Sequence, residues 1–186
     1  MRRALAGLFA LLLAATPATA AEWTVDHARS KLNFVVQWSG QPLVATFKSW
    51  TAKITFDPAN PTAARAFVSI ALDSEDSGSP DNDDGLKGAE GFSVTQFPSA
   101  TFETTGFKAT GGNGYVATGR LNLHGLTRPL TLPFTLTIVG NTAHLVGKAV
   151  VSRIDFGLGA SGEWAGETPV AHAVTINVDL TATKAT

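Results

Sequence analysis

The side chains in this chain with chemistry to offer are few and mostly cationic. His124 and Arg128 lie in a turn, HGLTRP, between two alternating apolar runs. Arg153 and Asp155 stand two apart at the end of a later run, and His172 lies near the start of the last one. At the end of an apolar sheet face, such groups can hold the polar end of a greasy ligand. They can also be solvated turn residues, or pair with each other to close a barrel end. A buried arginine is costly unless paired. Arg153 therefore reads as half of an ion pair with a carboxylate, as a charge facing a ligand head group, or as both. His172 reads as a barrel-mouth histidine with a hydrogen-bond partner, as a head-group contact, or as a haem or metal ligand. The four histidines, His27, His124, His144 and His172, show no close metal-ligand spacing, and no metal site is assigned. The acidic run from Asp73 to Asp84 lacks calcium-loop spacing with its terminal Glu. There is no GxSxG elbow, HExxH pair or GxGxxG loop. Nothing sets a nucleophile beside a base, so the residues do not read as those of an enzyme.

Strands must position these groups. Residues 31–38 place Leu32, Phe34, Val36 and Trp38 on one face. Residues 43–56 change apolar parity, which a bulge or bend near Trp50 explains. Residues 67–72 and 100–108 follow, the latter with Phe102 on one face and Phe107 on the other. Residues 115–123 carry Leu121 and Leu123, and 130–139 carry Leu132, Phe134 and Leu136. Residues 144–153 carry Val151, and the last strand aligns Val174, Ile176 and Val178. Gly-rich turns separate the runs. Eight strands so spaced predict an all-β antiparallel barrel or sandwich, and an even-numbered meander can close without edges. Residues 74–96 are polar and Gly-rich; they read as a loop over one barrel end, with a short helix at 85–89 capped by Asp81 or Asp83. An eight-stranded barrel can be filled by side chains or hold one small ligand, and the eleven Phe and four Trp fit either state.

Residues 1–20 read as a cleavable signal peptide: Arg2 and Arg3, an apolar run too short to span a membrane, then Ala18-Thr19-Ala20. Residues 21–186 then form one domain, in which no segment is long and apolar enough to span a membrane. The chain has no cysteine, so disulfides, thiolate metal sites and covalent haem attachment are excluded. Of 14 basic and 15 acidic residues, Arg2 and Arg3 leave with the signal, giving 12 against 15 and a net charge of −3. That balance argues against nucleic-acid binding.

Several pieces, in order, resemble the YceI-like family of exported lipid-binding proteins. They are Trp23-Thr24-Val25-Asp26 with Ser30 and Phe34, Phe47, Ile54-Thr55-Phe56-Asp57, Phe92 with Phe97-Pro98 and Phe102, the run Gly119 to Pro129, and Arg153-Ile154-Asp155-Phe156-Gly157. The HGxTxP turn followed by RxDFG is the most specific part. The resemblance implies an extended, lipocalin-like eight-stranded barrel in the periplasm, with an apolar tunnel for a polyisoprenoid, an isoprenoid quinone or a fatty-acid-like lipid. The inward apolar residues named above would line it. Arg153, Asp155, His172, His124 and Arg128 would be its head-group candidates. The resemblance also brings a membrane b-type cytochrome into view as a partner. The alternatives are a haem- or metal-binding stress protein using histidines, and a filled-barrel interaction module. The loop 77–91 departs from the family pattern, because Lys87 is its only base.

Overall fold

The computed structural model describes residues 20–185, so the signal-peptide expectation lies outside the described residues except at Ala20. Eleven strands form one sheet that closes on itself. Three of its staves are interrupted. β1 (Ala21–Val25) and β2 (Lys31–Trp38) both pair with the last strand, β11 (Val170–Lys184), and a 3-10 turn at His27–Arg29 separates them. β3 (Gln41–Phe47) pairs with β2 and β4 (Trp50–Phe56) with β1. β5 (Arg65–Ala71) pairs with β4, and the two-residue β6 (Glu75–Asp76) with β3. β7 (Ser99–Gly111), β8 (Gly114–Leu123), β9 (Leu126–Val139) and β10 (Thr142–Ser152) complete the meander. Counting each interrupted stave once gives an eight-stranded antiparallel barrel.

The interruptions fall where side-chain parity must change. The break between Phe47 and Trp50 lets both side chains pack inward, as the sequence pattern required near Trp50. Phe107 does not share the outer face that a regular strand would give it. A register shift between Thr104 and Gly106 returns it to the interior against Phe56 and Phe134. The helix over the barrel end, α1, spans Pro80–Lys87 and starts earlier than the 85–89 expectation. Proline fits its first turn, where the missing N–H costs nothing. Asp81 and Asp83 lie inside that turn and do not cap it; Asp83 instead accepts bonds from the Ser77 N–H (2.8 Å) and hydroxyl (2.5 Å).

The interior has two unlike halves. Trp23, Leu32, Trp50, Phe56 and Leu180 form the core of one, packed with Phe107, Tyr115 and Leu136. There Tyr115 stacks on Phe134 at 5.5 Å and meets Phe56 edge-on at 5.5 Å. The other half, around Phe34, Val36, Leu72, Phe102 and Leu121, lies under α1 and the loop after β10. The carbon-lined cavity lies in this second half.

Candidate functional site

The hollow half holds a cavity of about 110 Å³, lined almost entirely by carbon. Leu32, Phe34, Val36 and Trp38 from β2 line it, as the alternation of that strand predicts. So do Leu121 and Leu123 from β8, Val151 from β10, and Val174 and Ile176 from β11. Phe102 is buried beside it in the same core, with its ring over Gly119. Phe134, Leu136 and Val178 are not among its lining; they face the aromatic half. Leu132 is half-buried and leans on Gly147.

The cap contributes lining that strand periodicity does not reveal. Leu86 from α1, Glu90, Gly91 and Phe92 after it, and Leu158 and Trp164 from the loop after β10 close the end. Trp164 meets Trp38 edge-on at 5.0 Å, and both indoles lie against Gly85 of α1. The sequence signal for this plug was a tryptophan inside the Gly-rich stretch 157–166.

Arg153 is 4% exposed and reaches the cavity from beneath that loop. Among the described residues it has no carboxylate within ion-pair distance. Nε donates to Ala171 O (3.1 Å), and Nη1 donates to Leu158 O (2.8 Å) and Gly159 O (3.0 Å). Nη2 donates to Gly166 O (2.9 Å), Val170 O (2.7 Å) and Trp164 O. A guanidinium has five N–H donors, so six carbonyls engage all of them. Burial pulls its pKa below the usual arginine value, and the Glu167 charge partly opposes this. Arg153 thus organises the loop and presents positive charge, with no free donor, to the cavity.

The two motifs behind the resemblance meet as one clasp. His124 and Gly125 both have positive φ, +53° and +73°, and form the two-residue β8–β9 turn. His124 Nδ1 lies 3.1 Å from Phe156 O, and its ring packs on Phe97 at 4.4 Å. Arg128 Nε donates to Asp155 O at 3.1 Å. Residues 153–156 are a 3-10 turn and not a continuing strand, so Asp155 is exposed instead of following Val151 inward. His172 leaves the inner face because the β11–β2 register shifts between Val170 and Val174. Its ring pairs with Glu167 (3.0 Å) and Ala165 O (3.1 Å). Of the five head-group candidates, only Arg153 borders the cavity.

Beneath α1, Glu75 is buried with neither carboxylate oxygen hydrogen-bonded, and Lys87 Nζ stands 3.7 Å away. Burial first, then the nearby Asp83 charge, raise its pKa to about 7, and Lys87 opposes them. Among the described residues no group of three or more His, Asp or Glu side chains is placed to hold a metal, and no helix is long and apolar enough to cross a membrane.

Comparison with known proteins agrees with this architecture. The YceI-like domain family matches residues 23–182. A UPF0312 protein of Yersinia pestis is 36% identical over 137 residues, covering 72% of this chain and 71% of the relative. The crystal structure of Burkholderia cenocepacia BcnA superposes with a TM-score of 0.82 at 33% identity, covering 86% of this chain and 99% of BcnA. A polyisoprenoid binding domain from Saccharophagus degradans shares the fold, with a TM-score of 0.69 at 17% identity, covering 89% and 99% of the two chains.

Proposed function

From the premise that this chain belongs to the YceI-like family, we propose that it is a periplasmic carrier that sequesters an amphiphile with a long apolar tail, a polyisoprenoid or isoprenoid quinone. The observation that carries this reading is the carbon-lined cavity of about 110 Å³ inside the barrel. Native interiors hold few voids larger than a water molecule, and this one is walled almost wholly by apolar side chains. The mechanism is burial: each methylene taken out of water contributes about 0.8 kcal/mol. Selectivity for the tail comes from the aromatic half, which stops the cavity partway along the barrel. The polar end lies toward the cap, where Arg153 supplies positive potential. That suits a quinone carbonyl or a phosphate better than a cation. Such a protein needs no catalytic group. The test is extraction of protein purified from its native compartment, with mass spectrometry of the extract. A copurifying isoprenoid near one equivalent is expected. Protein that is empty after purification and binds no added isoprenoid refutes the reading.

A further inference from the structure

The barrel wall has one unzipped seam. β9 and β10 pair from Thr142↔Val139 to Gly147↔Phe134 and no further, although β9 continues back to Leu126 and β10 on to Ser152. Extrapolating the register sets Pro133 opposite Lys148, Thr131 opposite Val150 and Pro129 opposite Ser152.

The two hairpins explain why pairing stops. In a two-residue hairpin, the residues flanking the turn bond each other. Leu126 flanks the β8–β9 turn, so the even-numbered residues of β9 direct their backbone groups at β8. Val139 flanks the β9–β10 turn, so the odd-numbered ones face β10. Pro129 and Pro133 are both odd. Each removes the N–H that the next rungs of the β9–β10 ladder would need. Gly147 marks the fork: a Cβ there would sit 3.0 Å from Phe134 Cβ and 3.2 Å from Leu132 Cδ1.

The seam is bounded and lies over the hollow half. The Gly147–Phe134 rung closes one end and the Arg128–Asp155 clasp the other. On its inner side Val151 and Leu123 line the cavity, and β9 interposes Leu130 and Leu132, both half-buried. The outer rim is mixed: exposed Leu126 and Val150 stand on it among Thr127, Thr131 and Lys148. The barrel ends are less promising routes. One is filled by the aromatic half, and the other is held by the six bonds from Arg153 and the Trp38–Trp164 contact.

We propose that the β9–β10 seam is a lateral portal through which the amphiphile's tail enters and leaves the cavity, with Leu130 and Leu132 as its gate. This rests on the carrier reading. The chain has no cysteine, so the double variant Thr131→Cys/Val150→Cys can be stapled cleanly across the seam. A polyene fatty acid whose fluorescence rises in apolar surroundings is the probe, exchanged against phosphatidylcholine vesicles. Oxidation is expected to slow both uptake and release roughly tenfold or more while equilibrium affinity stays within about threefold, as for a gate; reduction restores the rates. The variant Pro129→Val/Pro133→Val returns both N–H donors, should slow exchange by zipping the seam, and decides the matter if the disulfide does not form. Wild-type exchange rates in the stapled or zipped protein overturn the portal alone. A reduced protein that binds neither the probe nor an added isoprenoid overturns the carrier reading and the portal with it.

Discussion

Replacing Arg153 by methionine tests how the cap is held. Methionine keeps the length of the side chain and its apolar stem but removes every donor. Three of the six acceptor carbonyls, on Leu158, Gly159 and Val170, take buried bonds, whereas those on Ala171, Trp164 and Gly166 are partly buried and can turn to water. Each of the three buried carbonyls left unpaired costs about 1 kcal/mol or more, a loss of about 3 kcal/mol in all. For a domain of this size that lowers Tm by roughly 6–12 °C. Calorimetry of Arg153→Met against wild type measures it, and hydrogen exchange should localise the loosening to 157–170. Arg153→Lys should recover less than half of the loss, because three donors on a flexible stem cannot serve carbonyls on both sides. A Tm within about 2 °C of wild type would refute the claim that this guanidinium holds the cap.

Glu75 makes stability depend on pH. Its pKa in the folded protein is about 7 against 4.5 for the free group, so the native state keeps a proton that the unfolded chain gives up. Its contribution is therefore complete below pH 4.5, falls as pH rises toward 7, and is gone above it, by about 3 kcal/mol at most. Urea unfolding of Glu75→Gln should lack that slope, leaving the variant more stable than wild type at pH 8. Gly119→Ala should cost about 1–3 kcal/mol by overpacking, because a Cβ there falls 2.5 Å from Glu103 O and 2.6 Å from the Phe102 ring; thermal melts check it. Leu121→Trp, projecting into the cavity, should lower isoprenoid affinity roughly tenfold or more with Tm little changed, read by titration beside a melt.

The barrel was legible because its strands are half-buried and alternate. β2, β8 and the middle of β11 carry that signal cleanly, and nine of their residues and β10's line the cavity where the pattern put them. Parity fails wherever the backbone stops being a regular strand. The 3-10 turn after Ser152 sends Asp155 to solvent, and the register shift before Val174 turns His172 to the loop. Phe107 came inward for the same reason, through the shift after Thr104. The cap was beyond reach because Leu86, Glu90 and Trp164 converge from segments without periodicity. Their meeting depends on the loop that Arg153 folds around itself. The choice between a filled and a hollow barrel could not be made from composition, since phenylalanine serves in both halves: Phe56, Phe107 and Phe134 pack one, and Phe34 and Phe92 line the other.

The last strand also governs how the fold can be reached. β11 bonds to β10, its neighbour in sequence, and to β1 and β2, which lie about 150 residues earlier: Asp26 N donates to Thr181 O at 2.9 Å, and the Ser30 hydroxyl bridges the same junction with a partner 151 residues away. Hairpins from β7 to β10 can form locally as the chain emerges, but ring closure requires the most distant contacts in the molecule. Such non-local pairing makes folding slow and exposes strand edges until it is complete. The barrel is thus an all-or-nothing object in time as well as in space: a cavity cannot exist before β11 is in place, and nothing can be carried until the first and last strands have met.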